Sequence, residues 1–314
     1  MSDSSTRCHR PTRRASYWSD SSISAASAAK ILSTYDRLMQ IGALIFPTDQ
    51  TIRPDRLAIA LEDSGYESFW VAEHTHIPIS RRTPYPAGGE LPEFYTRTMD
   101  PFVALTAAAV ATSTLRLGTG ICLVNQHHHI NLAKQTASVD LLSGGRFMFG
   151  VGVGWNEDEM EHHGVDPSKR RSTARERILA VRELWTAEHA EFHGQFVDFS
   201  PSISLPKPVG MPPVIMGGSG GPVTFRHVVE YCDGWMPIHG RTDPLERIDL
   251  LRQMAEDAGR DPESIEVSIY GCPMDAAIIE RYQAAGVARV VFWLPAVAED
   301  EVLAAVSAGR ALIG

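Results

Sequence analysis

Two histidines stand in a short polar segment, Glu73-His74-Thr75-His76, directly after an apolar run that predicts a β-strand. An imidazole titrates near neutral pH, so His74 could move a proton or hydrogen-bond a reacting group. An HxH segment could also bind zinc, with His239 as a further ligand, but no carboxylate follows the last predicted strand. The sequence therefore favours proton transfer over metal binding, with a histidine that only packs at the strand end as the alternative.

A glycine-rich segment, Gly217-Gly218-Ser219-Gly220-Gly221, lies between a predicted strand and a predicted helix. Glycines let backbone amides approach an anion, and the start of a helix adds partial positive charge. We therefore predict a phosphate site there, with a simple tight turn as the alternative.

After another strand, Trp155 is either a wall of a cofactor site or a core residue. Three consecutive histidines, His127-His128-His129, are predicted to lie in a loop, with one of them lining the pocket.

The elements that must position these segments alternate between strand and helix from Gln40 onward. Eight strands, nearly all followed by a helix, predict an α/β fold, a (β/α)8 TIM barrel with insertions. A doubly wound open sheet would usually carry GxGxxG after its first strand, whereas Pro-Thr-Asp-Gln follows Phe46 here. The loop 79–99 and the polar insert 191–212 are expected to shape the substrate pocket. The predicted strands are 41–46, 68–72, 115–124, 146–151, 213–216, 234–238, 265–270 and 289–293.

Composition narrows the function classes. The 314 residues are 44% hydrophobic and 21% charged, as in ordinary globular proteins, and the net charge of −9 argues against nucleic-acid binding. Four scattered cysteines without a CxxC pair favour a reducing, cytoplasmic location. No apolar run is long enough to predict a membrane span.

The first 38 residues are rich in Ser and Arg and poor in large aliphatic side chains. We predict that residues 1–38 are a disordered, dispensable N-terminal extension of a single domain, 39–314. Arg13-Arg14 is also a feature of twin-arginine export signals, and the Arg/Ser bias is a feature of transit peptides. Met39, just before the first strand, is an alternative start.

Seven short motifs carry a resemblance that extends from Gln40 to the C terminus. Through them the chain resembles the luciferase-like superfamily, and most closely its coenzyme F420-dependent branch. The motifs are WVAEH at 70–74, RLGTG at 116–120, AKQ at 133–135, DLLSGGR at 140–146, GVGVGWNE at 150–157, PVIMGG at 213–218 and DGW at 233–235.

The resemblance implies a barrel, often dimeric, with F420 or FMN across its mouth. It implies that Glu73 and His74 lie beside the ring as the catalytic pair, and that a cis Gly120–Ile121 peptide supports the ring from behind. Two departures are a Glu where the branch commonly has Asp, and Trp155 where sugar-phosphate dehydrogenases of this kind carry Glu. The implied cofactor-binding residues are Phe46, His74, Gly120, Ile121, Asn125, Gly152, Gly154, Trp155, Asn156, Gly217, Gly218, Ser219 and Gly220.

Two functions follow from the resemblance. The first is an F420-dependent oxidoreductase that transfers a hydride between deazaflavin C5 and a small organic substrate; the second is a reduced-FMN monooxygenase served by a separate reductase. Tyr85, Phe94 and Tyr95 indicate a partly apolar substrate. A metal hydrolase barrel is the competing class. We also expect a homodimer, and we expect His74→Ala to lower turnover far more than stability.

Overall fold

Strands and helices alternate along the part of the chain that the computed structural model describes, residues 39–241 and 243–313. The predicted extension 1–38 lies outside these residues. The strands are β1 Gln40–Ile45, β2 Ser68–Val71, β3 Arg116–Thr119, β4 Cys122–Leu123, β5 Phe147–Gly152, β6 Ala190–His193, β7 Asp198–Ser202, β8 Val214–Gly217, β9 Gly234–Met236, β10 Glu266–Cys272 and β11 Arg289–Trp293. The α-helices are α1 Pro54–Asp63, α2 Pro101–Ala111, α3 His129–Ser143, α4 Glu157–His162, α5 Arg170–Thr186, α6 Pro222–Tyr231, α7 Leu245–Asp257, α8 Ala276–Ala284 and α9 Glu299–Arg310.

The main sheet is parallel and closes on itself. β1 pairs with both β2 and β11, and the sheet continues through β10, β9 and β8 to β5. Closure comes from β3, which pairs with β2 on one side and with β5 on the other, Leu117 standing opposite Phe147. The predicted (β/α)8 barrel is therefore confirmed.

Two segments differ from the prediction. The predicted strand 115–124 is interrupted between β3 and β4 by the Gly120–Ile121 peptide, which is cis as predicted. The predicted polar insert contains an antiparallel hairpin that was not predicted, in which β6 pairs with β7 and Phe192 stands opposite Phe199. The hairpin escaped prediction because its strands are mostly exposed and lack an apolar alternation.

Trp70 fills the interior of the barrel and is fully buried. A Cβ added at Gly118 would lie 2.3 Å from its ring, so a side chain there would displace the indole. Arg289 is 1% exposed and lies 5.8 Å from the Trp70 ring centroid, with Glu67 at 2.8 Å and Glu266 as its carboxylate partners. This paired cation lies at the start of β11, the strand end opposite the one where catalytic side chains stand in such barrels.

Local signals set the ends of the outer helices. Asp100 caps α2 by accepting a hydrogen bond from the Val103 amide at 2.9 Å, and Pro101 occupies the first turn. Helix α3 ends at Gly144, whose φ of 69° is the left-handed conformation that glycine adopts most easily. Within residues 39–241 and 243–313, no helix is long and apolar enough to cross a membrane.

Candidate active site

A cavity of about 780 Å³ opens at the carboxyl ends of the barrel strands. This is the end at which barrel enzymes carry their chemistry. Among the predicted cofactor-binding residues, nine line it: Phe46, His74, Gly120, Ile121, Gly152, Gly154, Trp155, Gly217 and Gly218. The barrel therefore brings together segments that lie far apart in the sequence.

His74 leaves β2 and forms a buried pair with a residue that the sequence analysis did not single out. Its Nδ1 lies 3.0 Å from each carboxylate oxygen of Glu159, whose side chain is 1% exposed. The imidazole also packs against the rings of Tyr95 and Trp155. Because Nδ1 is held by Glu159, Nε2 is the nitrogen that remains for a ligand. Glu159 is the third of three consecutive acidic residues, 157–159. Its position in this run on α4 was the only feature of the sequence that could have pointed to it.

Glu73 also lines the cavity, but its carboxylate has other partners than that of Glu159, so its predicted role in catalysis stays a prediction. One of its carboxylate oxygens accepts a hydrogen bond from the Leu123 amide at 2.6 Å, and the other lies 2.6 Å from Nε2 of His127. Glu73 and His74 both follow β2, which ends at Val71, and both line the cavity, but the Glu73 side chain is 1% exposed and its carboxylate contacts β4 and His127. Glu73 is therefore placed to hold the start of β4, next to the cis bond.

Cys122 joins Glu73 and His127 in a group whose potential ligand atoms lie within 4.8 Å of one another. Burial raises the pKa of the Cys122 thiol well above its usual range, so the sulfur stays protonated. Burial opposes the charge on His127, but the Glu73 contact outweighs it and raises the pKa of this imidazole. We interpret the group as a hydrogen-bonded cluster that supports β4; the expectation that the chain binds no metal stays a prediction.

Ile121, directly after the cis bond, lies against the glycines of two neighbouring strands. A Cβ added at Gly152 would lie 2.0 Å from Ile121 Cδ1, and one added at Gly217 would lie 2.8 Å from Cγ2. These glycines therefore leave the space that the Ile121 side chain fills. Ile121 itself borders the cavity, so its position sets the shape of the cavity wall.

The predicted phosphate segment is only partly a cavity wall. Gly217 and Gly218 line the cavity, and Gly218 has a φ of 129° with no atom within 4 Å of an added Cβ. Ser219 is exposed and does not line the cavity, and Gly220 packs instead against Phe225, Trp235 and Arg247. The Nε atom of that arginine is buried without a hydrogen-bond partner among the described residues.

Three further predictions do not hold at this site. Asn125 does not line the cavity; its amide nitrogen donates to the carbonyls of Val153 and Arg170 at 2.8 and 3.0 Å. Asn156 is 1% exposed, precedes α4 as its N-cap and also lies outside the cavity lining. Of the predicted histidine loop, His127 and His128 precede α3, with His128 as its N-cap, and His129 is the first residue of the helix. None of the three histidines borders the cavity.

The segment after His74 is fastened to α4 by several polar contacts. Arg82 pairs with Asp158 at 3.1 Å and with Glu161 at 2.6 Å, and His76 Nε2 lies 2.8 Å from His162 Nδ1. These contacts bring α4, and Glu159 with it, against the carboxyl end of β2. The second histidine of the polar segment therefore contacts the helix rather than a ligand.

Residues 51–310 match the family model described as luciferase-like monooxygenase. The chain belongs to this family. The match covers more than half of the chain and includes all of the predicted site residues that line the cavity except Phe46.

Proteins similar to this luciferase-like chain include an F420-dependent enzyme by sequence and a monooxygenase by structure. The Mycobacterium tuberculosis protein Rv0953c is 40% identical over 272 residues, which cover 85% of this chain and 95% of the relative. An F420-dependent hydroxymycolic acid dehydrogenase of M. tuberculosis is 26% identical, with 71% of this chain and 60% of that one covered. The structure of monooxygenase RslO1 from Streptomyces bottropensis superposes with a TM-score of 0.72 at 20% identity, covering 88% and 98% of the two chains.

This luciferase-like barrel also carries cavity residues that sequence reasoning did not assign. Tyr270 and Trp293 line the cavity from the last two strands, and Arg241 lines it from the loop after β9. His239, weighed earlier only as a zinc ligand or reserve base, lines it too. Tyr85 and Tyr95, predicted as pocket aromatics, are present, whereas Phe94 packs on Phe46 behind the wall.

Proposed function

We propose that this protein is an F420-dependent oxidoreductase that transfers a hydride between C5 of the deazaflavin and a small organic substrate. The observation that carries the proposal is the His74–Glu159 pair at the cavity mouth, with one imidazole nitrogen held and the other available. The F420-dependent dehydrogenase among the relatives supports the same cofactor.

The cavity fits a flat tricyclic ring with a phosphate tail. Its volume of about 780 Å³ lies within the ~300–1,000 Å³ of typical cofactor sites. Gly120, Gly152 and Gly217 border the cavity without side chains of their own, and Ile121 and Met236 give its wall an apolar surface. Gly218 presents backbone beside open space, which suits a phosphate.

His74 is the residue to which we assign the proton. When bound, F420 supplies a ring carbon that accepts or donates a hydride. With Glu159 ionised, Nδ1 of His74 carries the ring proton and donates it to the carboxylate, which leaves a lone pair on Nε2. Nε2 takes the hydroxyl proton as the substrate carbon loses its hydride, and returns it in the reverse reaction. Glu159 stabilises the imidazolium that forms between these events.

Reduced-FMN monooxygenation, with electrons from a separate reductase, is the second candidate. Gly217 and Gly218 could accept the phosphate group that FMN and F420 share, so this part of the cavity fits either cofactor. The reductase and the homodimer both stay predictions, and light scattering of the purified protein measures the second.

Separate titrations of the purified protein with F420 and with FMN, followed by fluorescence quenching, test the proposal. We expect saturable binding of F420 and much weaker binding of FMN. Tight FMN binding together with undetectable F420 binding would transfer the assignment to the monooxygenase. Binding of neither would remove both candidates.

A further inference from the structure

A side compartment of about 350 Å³ opens beside the main cavity. Its lining residues include His239, Gly240, Arg241, Asp243, Arg281 and Tyr282, and the first three also line the main cavity. Because the two spaces share these three residues, a ligand in the main cavity can extend into the compartment.

The two arginines of the compartment differ in their partners. Arg281 is neutralised by Asp243, with 2.7 Å between Nη2 and the carboxylate oxygen. Within residues 39–241 and 243–313, Arg241 has no carboxylate or hydrogen-bond partner for its guanidinium. Burial raises the pKa of the Tyr270 phenol, and Arg241 opposes that rise, which places the guanidinium near the cavity wall. One uncompensated positive charge thus borders both spaces.

His239 adds a second polar group, which a hydrogen bond holds in position. Its Nδ1 lies 2.8 Å from the hydroxyl oxygen of Tyr282. Burial raises the pKa of Tyr282 to about 12, so the phenol keeps its proton at neutral pH. When the phenol donates to Nδ1, the ring proton is on Nε2, and the compartment then offers an imidazole N–H beside a guanidinium.

We propose that this compartment binds a carboxylate or phosphate group of a ligand whose reacting part lies in the main cavity beside His74. The anion has two possible sources, which are the glutamyl tail of the cofactor and an acidic substrate. The loop that carries Arg241 follows β9, the neighbour of β8, whose end carries the glycine segment. The inference rests on the proposed function, because it assumes a redox ligand in the main cavity.

The test compares Arg241→Gln with a matched control, Arg252→Gln. Arg252 is a half-buried arginine of α7 with Asp249 at 3.7 Å, so its replacement removes the same charge away from the compartment. Each protein is titrated with three deazaflavins. They are F420, its analogue that keeps the phospholactate but lacks the glutamates, and the riboside, which lacks both the phospholactate and the glutamates. Benzoate and its neutral amide, benzamide, probe the substrate side by calorimetry in protein loaded with the riboside.

Arg241→Gln should weaken one class of anion by about fivefold or more, as expected for loss of a hydrogen bond to a charged group. Weaker F420 binding with unchanged phospholactate binding identifies the cofactor tail as the occupant. Weaker benzoate binding with unchanged benzamide binding identifies an acidic substrate. Arg241→Lys should restore part of the affinity in either case.

Two results would separate failure of this inference from failure of the proposed function. If the wild-type protein binds F420 but Arg241→Gln behaves like Arg252→Gln with every ligand, the anion compartment is wrong and the cofactor assignment stands. If the wild-type protein binds no deazaflavin and no FMN, the proposed function fails. A comparison of benzoate binding with benzamide binding in the unloaded protein then still decides whether the compartment binds anions.

Discussion

Replacement of His74 by alanine should lower stability as well as turnover, because it leaves the carboxylate of Glu159 buried without its partner. The Glu159 side chain is 1% exposed, and His74 is its hydrogen-bond partner at 3.0 Å. Removing one partner of a buried pair costs about 3–5 kcal/mol, which corresponds to roughly 6–20 °C in Tm for a domain of this size. A test of the sequence-based expectation, that turnover falls far more than stability, therefore needs a second variant.

That variant is the double replacement His74→Ala/Glu159→Gln, with Glu159→Gln alone as the control. The neutral amide removes the buried charge, so the double variant should be more stable than His74→Ala. Turnover should fall about 10²–10⁴-fold in His74→Ala and about 10–100-fold in Glu159→Gln. The double variant should lose no more turnover than His74→Ala, because Glu159 acts through the imidazole.

Urea unfolding gives the stabilities, and absorbance of the deazaflavin band during hydride transfer with a panel of alcohols gives the turnover of the same proteins. Two results together would refute the reasoning. The first is that His74→Ala unfolds at the same urea concentration as the parent. The second is that the fold-loss of turnover in the double variant equals the product of the fold-losses in the two single variants. If His74→Ala keeps a turnover per folded molecule within about twofold of the parent, the loss is smaller than an acid–base group would cause. His74 would then be structural, and the proton transfer would be assigned to His239.

Three further outcomes are expected. Gly152→Ala should force the Ile121 side chain, 2.0 Å from the added Cβ, to change rotamer and should weaken cofactor binding with little change in Tm; Gly210→Ala, whose added Cβ has no atom closer than 3.9 Å, is the control. Burial opposes ionisation of Glu62, but hydrogen bonds from backbone amides before β3 lower its pKa to about 2. A depressed carboxyl pKa stabilises the fold above the unfolded value of 4.5, so the advantage of the parent over Glu62→Gln, about 1–2 kcal/mol by unfolding at pH 7, should disappear as the pH falls towards 2. A chain that begins at Met39 should keep the F420 affinity and Tm of the full chain in the same titration and melting assays; insolubility of the shorter chain would show that residues 1–38 contribute to the fold.

Residues close in sequence determined the elements. Helix α6 and strand β11 have the bounds that the sequence predicts, because a proline at the helix start and an apolar run are local signals. The carboxyl ends of parallel strands meet at one end of a barrel, so glycines and His74 at those ends were predictable cavity residues. The cis Gly120–Ile121 bond was predicted from the motif resemblance.

Side-chain partners were decided only by the tertiary structure. Glu159 is 85 residues from His74, and nothing in an acidic run shows which carboxylate turns inward. Glu73 was assigned to the reaction, and only the fold shows that its carboxylate accepts a hydrogen bond from the amide of Leu123, 50 residues away. Asn125 likewise binds backbone carbonyls of other segments. Such choices depend on distances between elements, which local periodicity does not encode, because a side chain hydrogen-bonds the group that folding brings within about 3 Å.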